Sequence, residues 1–137
     1  MRVTIEAPLR PTEDPDRVVA ACTRFFPEAQ AEVGPAGVRA VARDLSGLRR
    51  RVWELRIIDA FRGQALSGAA GRRLALRLSK QAAFQGRVSF PAGRAPHPLG
   101  DLTVLVDLDE DDPWADAEEL VRWLAPETRD GEVVGPA

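Results

Sequence analysis

Three segments of the sequence carry an apolar residue at every second position, and this alternation constrains the fold more than any other feature. They are residues 3–7, 74–78 and 102–108. A period of two is typical of β-strands that bury one face and expose the other. Weaker strand patterns occur at residues 29–33, 38–43 and 87–90, the first two joined by a turn at Gly34–Pro35. The sequence therefore predicts a sheet with one buried face.

Helical patterns separate these strands. Asp14 and Pro15 are typical of a helix start, because an aspartate caps free amides and proline suits the first helical position. An apolar stripe follows through Val18, Cys22 and Phe25, and Pro27 ends it. Cys22 lies on this stripe, so we interpret it as a small core residue rather than a nucleophile.

A single long helix is predicted from Asp44 to about Gly63–Gly68. It carries two apolar stripes, one of which contains Trp53, Ile57 and Phe61. A helix that is apolar on two sides is buried on two sides. The second side is covered either by another copy of the chain or by a loop of the same chain.

The remaining elements complete a single domain spanning residues 1–137. Ser79 caps a short helical turn from Lys80 to Phe84, Asp112–Pro113 begins a last helix, and the tail after Pro126 is polar and frayed. The predicted order is β-α-β-β-α-β-(short α)-β-β-α. Adjacent strands without long crossovers indicate an α+β fold with a mostly antiparallel sheet.

Charge is divided sharply along the chain. Residues 39–94 hold thirteen Arg and Lys against three Asp and Glu, a net of +10, whereas residues 95–137 hold two against twelve, a net of −10. Such asymmetry indicates a surface for a polyanion. The alternative is that the two regions face and neutralise each other.

The candidate nucleic-acid-binding residues lie near the strand at residues 74–78. Lys80 is the only lysine beside eighteen arginines, and its compact charge suits a phosphate contact. An ion pair between Asp59 and Arg62, three residues apart on the long helix, is expected to be structural. The nucleic-acid-binding candidates are Arg72, Arg73, Arg77, Lys80, Gln81 and Arg87.

No motif supports an enzyme, a metal or a cofactor. Asp107, Asp109, Asp111 and Glu118 match a calcium loop poorly, since Asp112 stands where the loop needs glycine. His97 has no triad partner at a recognisable spacing. The lone cysteine, the absence of a membrane-length apolar run and the charged start favour a cytoplasmic protein.

Six short motifs together resemble a known archaeal family, number 0201 of the uncharacterised protein families, also called domain of unknown function 54. The resemblance spans most of the chain. It implies a cytosolic homodimer with an α+β fold similar to the ribosomal protein that binds 5S RNA, and it implies no activity. The motifs are PTEDP (11–15), IDAFR (58–62), LSKQAA (78–83), GRVSF (86–90), PLG (98–100) and WLAP (123–126).

Two functions are consistent with these observations. The first is a non-enzymatic homodimer that binds RNA or another polyanion weakly through the basic region around Lys80. The second is a homodimeric interaction or assembly module that does not bind nucleic acid, in which an acidic segment neutralises the basic region.

Overall fold

A computed structural model describes residues 1–91 and 100–134. It is an α+β fold with a six-stranded antiparallel sheet, helices against one face of that sheet and a separate two-stranded hairpin. The elements are β1 (Arg2–Ala7), α1 (Pro15–Thr23), β2 (Gln30–Gly34), β3 (Gly37–Ala42), α2 (Ser46–Glu54), α3 (Ile58–Ser67), β4 (Ala69–Ala70), β5 (Arg73–Leu78), α4 (Lys80–Phe84), β6 (Leu102–Asp107), α5 (Ala117–Leu124), β7 (Thr128–Arg129) and β8 (Glu132–Val133).

The six-stranded sheet has the order β2-β3-β1-β6-β5-β4, and every pairing in it is antiparallel. The first strand therefore lies in the interior of the sheet, between β3 and β6. The predicted hairpin at residues 29–43 is confirmed, with Gly34 opposite Gly37. The predicted mostly antiparallel α+β class is also confirmed.

The period-two pattern explains which face is buried. Val3, Ile5, Leu74 and Val104 are fully buried beneath the helices, as the alternation predicts. The opposite, open face carries the alternate residues and is described below. At α1, the predicted cap is present: the Asp14 carboxylate accepts from the Asp16 amide at 3.0 Å, and Pro15 opens the helix.

The long helix expected from Asp44 onward is wrong, because the chain breaks there into α2 and α3. Residues 55–57 separate the helices, and Arg56 has a left-handed φ of 57°. Asp44 is not the N-cap residue of α2. It accepts from the Ser46 amide at 3.0 Å and from the Ser46 hydroxyl at 2.8 Å, while Leu45 occupies the N-cap.

The second apolar stripe is covered by the same chain. Phe61 is fully buried, and the Trp53 indole donates to the Leu124 carbonyl at 2.9 Å. Arg62 donates to the Pro126 carbonyl at 2.7 Å. Of the two alternatives, the structure thus favours cover by the same chain, through the end of α5 and the segment that follows it.

Two further expectations near the ends of the chain are corrected. Residues 87–90 form no strand, although Val88 is buried as the pattern requires and Ser89 accepts from the Ser79 amide at 2.7 Å. Residues 128–133, expected to be frayed, form the hairpin β7–β8. In the described part of the chain, no helix combines the length and apolar character needed to cross a membrane.

Candidate nucleic-acid interface

The arginines predicted on β5 face acidic partners on the neighbouring strand. Arg73 Nε lies 2.8 Å from Asp107 Oδ1, and Arg77 Nε lies 3.4 Å from the buried Asp101 carboxylate. Because β5 pairs directly with β6, the basic and acidic regions of the sequence meet within one chain.

Arg72 is likewise engaged by the acidic region. Its guanidinium donates to the carbonyls of Ala115 at 2.8 Å and Asp109 at 2.6 Å. These bonds join the start of β5 to the segment between β6 and α5. Arg72, Arg73 and Arg77 are thus engaged by carboxylates or carbonyls of the acidic region, which offset the positive charge of β5.

Lys80 is a buried lysine rather than an exposed phosphate contact. Its side chain is only 4% exposed, and its ammonium lies 2.9 Å from Glu13 Oε1 and 2.8 Å from the Pro8 carbonyl. The contact of Lys80 with nucleic acid stays a prediction, and in this structure its ammonium is engaged by the protein's own groups. A lysine stem buries four methylenes and ends in a compact charge, which suits a carboxylate and a carbonyl at the base of α1.

Burial by itself would raise the pKa of Glu13. Hydrogen bonds from the Arg10 amide and the Lys80 ammonium outweigh that effect and hold its pKa below the ordinary value. The pair joins the PTEDP segment to the LSKQAA segment, so two motifs that lie 67 residues apart in sequence form one contact. This contact is structural.

Four arginines instead surround the C-terminal end of α4, and we call them the arginine cluster: Arg17, Arg24, Arg51 and Arg87. Arg17 lies over the Phe84 ring, 5.2 Å from its centre, and Arg51 donates to the Gly86 carbonyl at 2.6 Å. Within residues 1–91 and 100–134, Arg17, Arg24 and Arg87 have no carboxylate at ion-pair distance, and Arg51 has only Glu54 at 3.7 Å.

Gly86 allows this cluster to form. Its φ of 78° lies in the left-handed region, and a Cβ there would come within 2.7 Å of Arg24 Nη2. A glycine ends α4 and lets the Arg24 guanidinium lie directly against the backbone. Arg87 follows at once and donates to the Gln85 side-chain oxygen at 2.7 Å.

A groove of about 640 Å³ runs beside the cluster, between α1 and α4. Phe84, 39% exposed, forms one wall. The rest of the lining is mixed: Thr12, Glu13, Asp14, Arg17, Val18, Ala21, Lys80, Gln81 and Gln85. Aromatic, cationic and amide groups that share one surface can stack on bases, neutralise phosphates and bond to base edges.

The ion pair expected between Asp59 and Arg62 is present, with Arg62 Nη2 2.8 Å from Asp59 Oδ1. The Thr128 hydroxyl also donates to Asp59, and these contacts hold the pKa of Asp59 below its ordinary value. Both residues tie α3 to the C-terminal hairpin, which is a structural role.

Cys22 is fully buried, as predicted for a core residue, and burial raises the pKa of its thiol to about 11. No group of three or more His, Cys, Asp or Glu side chains in the described ranges is arranged to hold a metal ion. His97 lies outside the described residues.

Comparison with known proteins agrees with the motif resemblance. A relative from the archaeon Metallosphaera sedula, a UPF0201 protein, is 34% identical over 136 residues, which cover 95% of this chain and 91% of the relative. The chain belongs to the UPF0201 family. A second UPF0201 protein, from Aeropyrum pernix, is 32% identical and covers 98% of this chain and 91% of its own length.

The UPF0201 fold has also been solved. The crystal structure of the UPF0201 protein from Methanococcus jannaschii superposes with a TM-score of 0.87 at 25% identity, covering 98% of this chain and all of that one. A family model described as RNA binding matches residues 2–97. That range contains every residue of the arginine cluster and of the groove.

Of the residues predicted from the sequence, Lys80 and Gln81 line the groove and Arg87 belongs to the arginine cluster, whereas Arg17, Arg24 and Arg51 were missed. Arg17 lies on α1, Arg24 follows its last residue, and Arg51 lies on α2, far along the sequence. No spacing rule connects them, because packing of α1 against α4 and the bond from Arg51 to the Gly86 carbonyl bring them together. The available signal was Phe84, a large apolar residue in a short polar helix.

Proposed function

We propose that this protein binds RNA through the arginine cluster and Phe84. The observation that carries the proposal is the environment of α4: four arginines surround its C-terminal end, Arg17 lies over the exposed Phe84 ring, and three of the four lack a carboxylate partner in the described part of the chain. Guanidinium groups neutralise phosphates, and an exposed aromatic face stacks on unpaired bases.

The family description supports RNA over other polyanions. The match to the family described as RNA binding ends at residue 97, before most of the acidic region, and includes the whole cluster. An exposed phenylalanine adds nothing to binding of a simple polyphosphate but stabilises a stacked base by about 1–3 kcal/mol. The proposed role is binding and includes no catalysed reaction.

Fluorescence anisotropy with a labelled RNA of about ten uridines, at a salt concentration of about 30 mM, tests the proposal. The double variant Arg24→Glu/Arg87→Glu should bind at least about tenfold more weakly than the wild type, because it reverses two charges beside the bound phosphates. Phe84→Ser should lose a similar factor through stacking.

A control variant with the same change in net charge separates a local contact from a general charge effect. Arg122→Glu/Arg129→Glu alters two exposed arginines in α5 and β7, which do not line the groove. It should stay within about twofold of the wild type. Equal losses in both double variants, or no binding by the wild type, would reject the proposal.

A second candidate role, homodimer formation, is favoured by the open face of the sheet. A row of small and apolar residues crosses its middle: Val41 pairs with Thr4, Thr4 with Leu105, and Leu105 with Ala75. Ion pairs flank this row on both sides, Glu6 with Arg39 and Asp107 with Arg73. An apolar row between charges of both signs is self-complementary, as an isologous interface requires.

Molar mass from light scattering tests this second role. Leu105→Arg should convert a dimer to a monomer at micromolar concentration, because it places a charge in the apolar row. Val33→Arg, an exposed position outside the row, is the control. A wild-type monomer would reject homodimer formation, and a dimer that survives Leu105→Arg would reject this face.

A further inference from the structure

The groove between α1 and α4 is large enough to hold a nucleobase, and its lining offers both apolar and polar groups. Its volume of about 640 Å³ falls in the range of small-ligand sites, which span roughly 300–1,000 Å³. Val18 and Ala21 contribute apolar surface from α1, and Phe84 contributes an aromatic wall from α4. The arginine cluster adjoins the groove, so a base inside it would have its phosphates beside guanidinium groups.

Arg17 and Phe84 form a stacking surface inside the groove. The Arg17 guanidinium lies 5.2 Å from the centre of the Phe84 ring, and both residues line the groove. Unpaired bases stack on aromatic rings and on the planes of arginine side chains alike. The pair therefore holds a base without distinguishing which base it is.

Discrimination must come from the polar groups of the groove, and Asp14 is the most selective of them. Its Oδ1 accepts from the Asp16 amide at 3.0 Å, which leaves Oδ2 as a further acceptor. An ionised carboxylate only accepts hydrogen bonds. Glu13, the other carboxylate in the groove, is mostly buried and already balanced by the Lys80 ammonium at its Oε1, whereas Asp14 is exposed.

Among the four bases, guanine matches an acceptor-only group best. It presents two neighbouring N–H donors, N1 and N2, on its pairing edge. Uracil presents one donor between two carbonyl oxygens, which a carboxylate repels. Adenine and cytosine present a single amino group beside an acceptor nitrogen. Gln81, also in the groove, both donates and accepts, so it can bond to the guanine O6 or N7.

We infer that this groove binds one unpaired guanine of an RNA, stacked on Arg17 and Phe84 and hydrogen-bonded to Asp14. The inference rests on the proposed RNA-binding function and adds base selectivity to it. The arginine cluster supplies the sequence-independent part of the affinity, and Asp14 supplies the preference.

The test compares ten-nucleotide uridine RNAs that carry one central guanosine, adenosine or cytidine with the all-uridine RNA, by fluorescence anisotropy at fixed low salt. The guanosine RNA should bind about tenfold more tightly than the other three, the factor expected of one good paired contact to a base. Asp14→Asn should abolish this preference while the all-uridine affinity stays within about twofold.

Asparagine caps a helix as well as aspartate does, so Asp14→Asn should keep α1 intact. Asp14→Ser, which also caps, is a second variant for the same purpose. Asp16→Asn is the matched control, since it removes the same charge from a residue that does not line the groove, and it should retain the guanosine preference.

The outcomes separate this inference from the proposed function. Equal binding of all four RNAs, or a guanosine preference that survives Asp14→Asn, would overturn the base pocket and leave RNA binding intact. Failure of every RNA to bind would overturn both. Loss of the preference in Asp16→Asn as well would show that charge near α1, rather than contact with Asp14, produces it.

Discussion

At the scale of single residues, the feature that departs most from expectation is the burial of the only lysine. Lys80 is almost inaccessible and contacts a carboxylate and a carbonyl from the segment before α1. A buried ion pair adds little net stability compared with well-packed apolar residues, but removal of one partner leaves the other charged and buried. The pair therefore fixes how α1 and α4 pack, and α4 carries Phe84.

Lys80→Met should lower the free energy of unfolding by about 3 kcal/mol, because it leaves Glu13 without its cation. Urea denaturation at pH 7 measures this loss. The double variant Lys80→Met/Glu13→Gln should recover part of it, since no charge remains buried. If Lys80→Met is as stable as the wild type, the pair has no structural role.

The depressed pKa of Glu13 predicts how this contribution depends on pH. A carboxyl whose pKa is lower in the folded state stabilises the fold above its unfolded pKa, whose ordinary value is 4.5. That contribution is lost as the pH falls through the folded pKa. The difference in unfolding free energy between wild type and Glu13→Gln should thus be largest at about pH 6–7 and should shrink progressively below about pH 4.5.

Asp59 and Asp109 also have lowered pKa values, so the wild type alone should lose stability in acid through several groups. Both residues are present in Glu13→Gln, and their effects cancel when the two proteins are compared. If this difference in unfolding free energy stays constant from about pH 7 to about pH 3, the pH-dependent stabilisation does not come from Glu13.

At the scale of elements, the break between α2 and α3 depends on the backbone conformation of one residue. Arg56 adopts a φ of 57°, a conformation that costs an L-residue roughly 1 kcal/mol and glycine almost nothing. The Ile57 amide donates to the Val52 carbonyl at 3.3 Å, and the Arg56 amide donates to the Trp53 carbonyl at 3.1 Å. These bonds close the end of α2 and let α3 begin in a new direction.

Relief of backbone strain in Arg56→Gly should therefore raise the free energy of unfolding by about 0.5–1 kcal/mol. The entropy that glycine adds to the unfolded chain reduces this gain. Arg50→Gly, in the interior of α2, should lower it by about 1 kcal/mol. Opposite signs in thermal or urea denaturation would confirm the strained position. A loss in both variants would show that the Arg56 side chain outweighs its backbone strain.

Alternation predicted β1, β5 and β6 from the sequence because each strand buries one face, and burial alone produces a period of two. The break at Arg56 could not be predicted, since arginine rarely occupies the left-handed region and no Gly or Pro marks the turn. Residues 87–90 show the opposite error: Val88 is buried as in a strand, yet the bond from the Ser79 amide to the Ser89 carbonyl does not extend into a strand ladder.

The candidate site was less accessible to sequence reasoning than the fold. A run such as Arg49–Arg50–Arg51 gives charge but not direction. In the structure Arg49 lies between Trp53 and Trp123, 4.2 and 4.9 Å from their ring centres, whereas Arg51 reaches Gly86. Neighbouring residues on one helix thus serve opposite sides of the molecule, and only tertiary packing decides which of them joins the cluster.

At the scale of the whole molecule, the net charge of −2 conceals an uneven distribution of charge. The basic and acidic regions neutralise each other where β5 meets β6, and cationic character remains around α4. A protein that is slightly acidic overall can therefore attract RNA at one place and repel it elsewhere.

This arrangement predicts a modest dependence of RNA affinity on salt. About four phosphate contacts to single-stranded RNA give a slope near −3 when the logarithm of the association constant is plotted against the logarithm of salt concentration. Arg24→Glu/Arg87→Glu should reduce the magnitude of this slope by at least about 1, because it removes about one to two phosphate contacts. Arg122→Glu/Arg129→Glu should leave the slope unchanged. A wild-type slope near zero would mean that phosphate contacts do not drive binding.

The position of β1 in the interior of the sheet bears on how the chain is made. During synthesis β1 leaves the ribosome before both of its neighbours and can pair with β3 once residues 37–42 have emerged, but its other edge stays open until residues 102–107 emerge. At roughly 5–20 residues per second, that exposure lasts for several seconds. The nascent chain thus presents an unpaired strand edge to its surroundings, and β6 is the element whose arrival ends that vulnerability.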